Sequence, residues 1–256
     1  MADNIVIKTQ HLTKYFGSLA AVNDVSINIE RNKLHAIIGP NGAGKTTLFN
    51  LLSGNMKPTS GKVIYNDKDL TKQPVHQRIH SGIGRSFQIT NIFPNLSVHE
   101  NIRLASQALE KKKFNIIQKV ENLKETEERT QEVINQVGLT SQANNFARNL
   151  PHGDQRKLEL GMILAPDPKV LLLDEPTAGM ASEQVPLLIE LIQKIQETEE
   201  KTVVLVEHNM NVVMSISDKI TVMHLGKILA EGKPSEIAAN EEVQTAYLGG
   251  LYKLDI

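Results

Sequence analysis

The chain has 256 residues, 40% of them hydrophobic and 22% charged, with a net charge of −1. That length and balance suit one large folded domain with a substantial core and exclude a disordered chain, while near-neutrality excludes a general nucleic-acid or anionic-membrane footprint. The chain has no cysteine, so disulfides and thiolate metal sites are excluded and a reducing compartment suits it.

In chain order, the opening MADNIVIKTQ carries no basic stretch leading into an apolar core and reads as no signal peptide. No apolar run reaches the roughly 18–20 residues of a membrane-spanning helix, so any membrane role is expected to come through a partner. VSINI at 25–29 alternates apolar and polar, which predicts a half-buried strand. LHAII at 34–38 predicts a more deeply buried strand running into glycine, TTLFNLLSG at 46–54 a helix stopped by Gly54, and GKVIYND at 61–67 a strand entering a turn. From 98 to 149 the texture becomes helical and charged, beginning with Ser97 as N-cap and Glu100 three residues on, a capping-box pattern. The segment 111–139 predicts a helix ending near Gly138, with the charge runs at 111–113 and 125–129 on solvated faces. NLPHGDQRKLELG at 149–161 predicts a further helix, with Pro151 suited to its first turn. After Pro168 strands and helices alternate: KVLLLD, TVVLVEH and KITVMH as strands, EQVPLLIELIQKIQETEE as a helix between the first two, GKILAEG as a late hairpin strand, then a helical tail. Such alternation predicts a parallel sheet covered by helices, interrupted by an inserted helical lobe.

Three stretches carry chemistry. Residues 39–46 read GPNGAGKT between a predicted strand and a predicted helix, the G-x-x-x-x-G-K-[ST] pattern in the context it requires. Its glycines allow a tight loop with N–H groups pointing at phosphate oxygens; Lys45 reaches the β- and γ-phosphates and the Thr46 hydroxyl ligates Mg2+. VLLLDE at 170–175 ends a buried strand in two acids, with Asp174 suited to hold the metal and Glu175 to orient or deprotonate the attacking water, a role worth roughly 10²–10⁴ in rate. His208 ends the next strand at the same sheet edge, within reach of a γ-phosphate. Gln88, in GRSFQITNIFP, lies where a strand gives way to a loop and means little by itself.

Together these residues resemble the ATP-binding subunits of ABC transporters over nearly the whole chain and in the family's order. Phe16 in TKYFG matches the aromatic residue that stacks on adenine, with Tyr15 its neighbour; GPNGAGKT matches Walker A; Gln88 matches the Q-loop glutamine; LPHGD falls on the Leu-Ser-Gly-Gly-Gln signature; VLLLDEPTAGMA matches Walker B, the catalytic Glu and the D-loop; His208 matches the H-loop histidine. SFQITNIFPNLSVHENI, LDEPTAGM, the stretch from VEHNMNVV to GKPSEI, and VQTAYLGG look like the ATPase subunits of branched-chain amino acid importers, with urea and short-chain amide importers nearly as similar. An exporter ATPase of the lipopolysaccharide type shares much of the core. A soluble ABC ATPase of the ribosome-associated kind usually carries two cassettes per chain, and a P-loop GTPase is disfavoured because no Asn-Lys-x-Asp motif follows.

The resemblance implies a P-loop NTPase fold of the α/β class: a RecA-like mixed sheet with an N-terminal antiparallel β subdomain and an inserted α-helical subdomain. It implies one ABC ATPase domain over 1–256, with the core in 1–97 and 150–235, the helical subdomain at 98–149 and roughly on to 165, and a C-terminal tail at 236–256. ATP and Mg2+ are the implied ligands, with Phe16, Gly39, Pro40, Asn41, Gly42, Ala43, Gly44, Lys45, Thr46 and Thr47 binding nucleotide. Thr46, Asp174 and Gln88 are the metal set, and Glu175, His208, Gln88 and Lys45 the catalytic set. Leu150, Pro151, His152, Gly153 and Asp154 would act in trans on a partner's ATP. The implied partners are two membrane permeases, a second ABC ATPase (usually a similar chain, otherwise another copy) and, indirectly, an extracytoplasmic solute-binding protein, with no nucleic acid. The chain would sit peripherally on the cytoplasmic face of the membrane. It departs from the family at Pro151, His152 and Asp154 in the signature and at Ala181 in the D-loop. A carboxylate at Asp154 should repel ATP unless it is turned toward ribose or protein.

Overall fold

The computed structural model describes residues 4–86, 92–107 and 120–248. In chain order the elements are β1 (Ile5–Phe16), β2 (Leu19–Val25), β3 (Asn28–Glu30), β4 (Leu34–Ile38), α1 (Lys45–Ser53), β5 (Ser60–Tyr65), β6 (Lys68–Asp69), α2 (Val75–Arg78), β7 (Ile83–Arg85), α3 (Val98–Ser106), α4 (Val120–Gln136), α5 (His152–Leu164), β8 (Val170–Asp174), α6 (Val185–Thr198), β9 (Thr202–Val206), α7 (Met210–Ile216), β10 (Lys219–His224), β11 (Lys227–Gly232), α8 (Pro234–Ala238) and α9 (Glu241–Leu248).

Two sheets form. The larger runs β11-β10-β4-β9-β8-β7, parallel throughout except for β11, which returns antiparallel against β10. Every residue of β4, β8 and β9 is buried, because a parallel sheet covered on both faces has no solvent side; this is why these strands read as unbroken apolar runs. Alternate residues serve opposite faces. Ile37, Leu172, Val204 and Val206 pack with α1 against the N-terminal sheet, while Leu34, Leu171, Leu173, Val203 and Leu205 pack with α3, α4, α5 and α6. The smaller sheet, β2-β1-β5-β6 with β3 also on β1, is antiparallel. Helix α1 is therefore held between the two sheets.

Three local expectations change. The segment 25–29 is not one strand: β2 ends at Val25 and β3 begins at Asn28, although Val25, Ile27 and Ile29 are buried as the alternation predicts. Ser97 does cap α3, its hydroxyl accepting from the Glu100 amide, but the Glu100 carboxylate pairs with Arg103 instead of turning back to Ser97. The run at 125–129 is only partly solvated. Thr126 is buried, and Arg129 donates to the Leu164 and Ala165 carbonyls at the end of α5. The expected helix at 111–139 is described only from Val120, and residues 111–119 and the last eight of the tail lie outside the described residues.

Among the described residues, Arg78 is the largest fully buried side chain. Its guanidinium donates to the carbonyls of Leu51, Leu52, Leu70 and Gln73, so it satisfies the end of α1 and ties α1 to the β6–α2 loop. Burial pushes its pKa down to about 10, which still leaves it charged at neutral pH. Arg78→Met keeps bulk but removes the guanidinium donor from the Leu52 and Gln73 carbonyls, whereas those of Leu51 and Leu70 keep the Gly54 and Gln73 amides. The expected loss is about 3 kcal/mol of unfolding free energy, read as a lower urea midpoint; an unchanged midpoint would refute the capping role.

Candidate active site

The C-terminal ends of the parallel strands lie along one edge, so the loops that follow them meet there. The loop 39–44 leaves β4 and enters α1, whose first turn carries no acid. Two of its glycines answer to close packing. A Cβ on Gly39 would lie 2.3 Å from the Met223 carbonyl oxygen, and one on Gly44, at φ +101°, 2.2 Å from that of Ala21. The loop is thus clamped between β10 and β2. Lys45 opens α1 and folds inward, its Nζ donating to the carbonyls of Gly39 at 2.7 Å and Pro40 at 3.0 Å. Burial lowers its pKa, while the carboxylates of Glu175 and Asp174 pull the other way.

A cleft of 510 Å³ joins these parts, lined by Phe16, residues 41–47, Glu175 and His208. Phe16 rather than Tyr15 faces it. Leu19, Ala20, Ala21, Leu225 and Gly226 complete the lining. Sequence reasoning did not reach these five, and only the Leu225–Gly226 turn between two predicted strands offered a signal. At the apolar end, Phe16 and Leu225 are large and exposed, which suits the face of a base; at the other end α1 offers amides and a positive dipole, which suits phosphates.

Asp174 ends β8 just behind the cleft. Ser86, at the end of β7, accepts its amide through the side-chain hydroxyl at 2.8 Å, which fixes the strand end. Its Oδ1 is buried without a hydrogen-bond partner among the described residues. Burial, and then the neighbouring Glu175 carboxylate, push its pKa up to about 6, against the pull of Arg85, His208 and Lys45. A buried carboxylate oxygen with no donor fits a hard divalent cation, and Thr46 supplies a hydroxyl from the first turn of α1 in the adjoining cleft. Gln88, the other expected ligand, lies outside the described residues.

Glu175 has φ +48°, a left-handed conformation costly for a side chain of its size. Its amide is tied to the Val206 carbonyl at 2.8 Å, and its Oε1 meets His208 Nε2 at 2.6 Å. His208 lies two residues beyond the end of β9, not in it, with Glu207 between. The strained backbone turns the Glu175 carboxylate into the cleft while Asp174 stays buried behind it.

The segment Leu150–Asp154 is not part of this cleft's lining. Pro151 caps α5, whose first amides have no acceptor within the helix. Gly153 is packed so closely that a Cβ would come within 2.5 Å of Gln184 Oε1. Asp154 is turned to protein, pairing with Lys157 at 2.9 Å and accepting from Gln142 at 3.0 Å. The repulsion expected of it is relieved in this way.

With this geometry in place, the comparisons are specific. The family model for ABC transporters matches residues 22–178, which span the clamped loop, the α5 cap and both acids. This chain belongs to the ABC transporter family. It is an ATPase of that family, and its cassette binds adenine nucleotide. A second model, described as a branched-chain amino acid ATP-binding cassette transporter, matches residues 227–252. The chain is 39% identical over 239 residues to the high-affinity branched-chain amino acid transport ATP-binding protein LivG of Salmonella typhimurium, covering 91% of this chain and 94% of the relative. It is 36% identical to the corresponding BraF protein of Pseudomonas aeruginosa, covering 95% and 98%. It is also 30% identical to the lipopolysaccharide export ATP-binding protein LptB of Haemophilus influenzae, covering 97% and 99%. Among solved structures, an ATP-binding cassette of an ABC transporter in its ADP conformation superposes with a TM-score of 0.83 at 27% identity, covering 96% of this chain and 99% of that one. A dimeric cassette in a post-hydrolysis state, bound to ADP and Pi, gives 0.73 at 28%, covering 89% and 98%.

The Asp174 carboxyl makes a testable demand on stability. Its pKa in the folded chain, about 6, lies above the ordinary 3.8, so its ionisation favours unfolding. The cost appears as pH rises through that window and is complete above it, reaching about 3 kcal/mol at most. Asp174→Asn is expected to raise the melting temperature of the nucleotide-free, metal-free chain at pH 8, with the gain shrinking below pH 6 and gone near pH 4. A melting temperature lower than wild type at pH 8 would contradict this.

Proposed function

We propose that this chain is the ATP-hydrolysing subunit of a branched-chain amino acid importer. The observation that carries the reading is the match of residues 227–252 to the branched-chain cassette model, joined to full-length similarity with LivG and BraF. The lipopolysaccharide-export relative is less similar at 30%, which makes export the second reading. No helix among the described residues is long and apolar enough to cross a membrane. Energy would therefore reach the solute through two permease subunits, with this chain peripheral on their cytoplasmic side. A second ATPase, usually a similar but non-identical chain, completes the pair, and a solute-binding protein outside the membrane delivers the cargo.

In the proposed mechanism Phe16 receives the adenine, and the amides of 41–46 with Lys45 hold the phosphates. Thr46, Asp174 and Gln88 would hold Mg2+, which when bound offsets the charge developing on the transferred phosphoryl group. Glu175 orients the attacking water and accepts its proton, and the 2.6 Å bond to His208 keeps that carboxylate aimed along the cleft. His208, with its other hydrogen-bonding capacity, faces the γ-phosphate side. The capped end of α5 serves the partner's nucleotide: its free amides and positive dipole oppose the γ-phosphate across the dimer. Pro151 has no hydroxyl to give there, so Gly153 and the His152 imidazole take a larger part.

Glu175→Gln is expected to retain ATP binding and to lower turnover by roughly a hundredfold or more, stalling the closed dimer; near-wild-type turnover in the assembled complex would remove Glu175 from the mechanism. Pro151→Ser should alter hydrolysis only at the partner's site, measured by pairing it with a hydrolysis-dead partner or a hydrolysis-dead self; equal effects at both sites would contradict action in trans. The transport assignment is tested with the permeases and binding protein in vesicles. Leucine-loaded binding protein should stimulate ATP turnover, whereas stimulation by urea or by lipopolysaccharide alone would replace the reading.

A further inference from the structure

Between Glu175 and His208 stands a carboxylate with no assigned part. Glu207 is 3% exposed, and it is buried among backbone rather than opposite a cation. Its Oε1 accepts from the Thr177 amide at 3.2 Å and from the Thr177 hydroxyl. Its Oε2 accepts from the amides of His208 at 2.9 Å and Asn209 at 3.4 Å. One oxygen thus gathers the loop after β8 and the other gathers the loop after β9.

Those loops carry the two ends of the 2.6 Å bond between Glu175 and His208. Thr177 follows Glu175 by two residues, inside a turn closed by the Ala178 amide on the Glu175 carbonyl at 3.0 Å. His208 is the next residue after Glu207. Glu175 holds an unfavourable φ of +48° and needs its turn fixed from outside. The same turn reaches α5, since Arg156 donates to the Ala178 carbonyl at 3.1 Å. An apolar residue at 207 would fill the space but leave four donors unpaired, and a glutamine could accept at only one of its two ends.

We propose that Glu207 is a positioning residue for hydrolysis: its two oxygens set the backbone of Glu175 and His208 against each other and so hold their hydrogen bond in the cleft. This rests on the assignment of Glu175 and His208 to the hydrolytic step. Glu207 is buried and does not line the cleft, so its removal should act on turnover through the pair and leave ATP affinity alone.

The experiment measures ATP turnover in the assembled transporter and ATP affinity by calorimetry on the full chain. Glu207→Gln is expected to lower kcat on the order of tenfold with ATP affinity within about twofold of wild type. In a His208→Ala background, adding Glu207→Gln should lower kcat by less than about twofold, because the bond it positions is already gone. Should Glu207→Gln fold poorly, Thr177 supplies a milder pair: Thr177→Ser keeps the hydroxyl donor and wild-type kcat, while Thr177→Val loses both. Unchanged kcat in Glu207→Gln, full additivity with His208→Ala, or equal kcat in the two Thr177 variants would overturn the inference. A fully active His208→Ala chain would instead overturn the assignment beneath it.

Discussion

The register of three parallel strands is the constraint on which the chemistry depends. β4 lies between β10 and β9, and β9 lies beside β8, with Ile37 opposite Val206 and Val206 opposite Asp174. This pairing brings the start of the phosphate loop, the two acids and His208 to one edge within a few residues of each other. Side chains alternate across a strand, so a slip of one residue would exchange the faces of every buried position, Asp174 included. The apolar fill on both faces makes such a slip prohibitive. Ile37, Leu172 and Val204 fit one core and Leu34, Leu171 and Val203 another.

Against that rigid frame the site tolerates arrangements that would be costly elsewhere. Glu175 sits in a left-handed conformation, Asp174 keeps an unpartnered oxygen in the interior, and Arg156 and Glu159 form an ion pair at 8% exposure each. None of these would be selected for stability alone. They share a location: the turn after β8 and the helix that begins at Pro151. These three arrangements thus meet at the site, while large charged groups elsewhere are closed off by partners, as at Arg78 beneath α1 and Lys201 with Asp167 and Glu199.

Much of this was readable in the chain itself, for identifiable reasons. Strands covered on both faces lose their alternation and stand out as apolar runs, which is how β4, β8, β9 and β10 are recognisable. The phosphate loop is legible because glycine spacing and its strand and helix flanks are local properties. β1 is not distinguished, since its twelve residues mix polar and apolar and its pairing with β2 and β5 is broken by irregularities near Leu12 and Thr13. The break between β2 and β3 is hidden because Val25, Ile27 and Ile29 keep the strand period across it. Arg78, Ser86, Arg156 and Glu207 were invisible for a different reason. Each is a polar residue whose meaning comes from carbonyls or amides far along the chain, and no periodicity marks it. Asp154 shows the reverse: its chemistry raised a difficulty that only Lys157 and Gln142 could resolve.

The position of β4 in the sheet also has a consequence for biosynthesis. Its partners, β9 and β10, are drawn from residues 202–206 and 219–224, some 170 or more residues later in the chain. The phosphate loop is translated early but cannot be clamped until Met223 has left the ribosome, because the carbonyl that confines Gly39 belongs to β10. Contacts so distant in sequence are the last to form. A truncated or stalled chain therefore holds the whole nucleotide motif yet has no nucleotide site. The ability to consume ATP arrives only with a nearly complete polypeptide, which ties the onset of activity to the completion of synthesis.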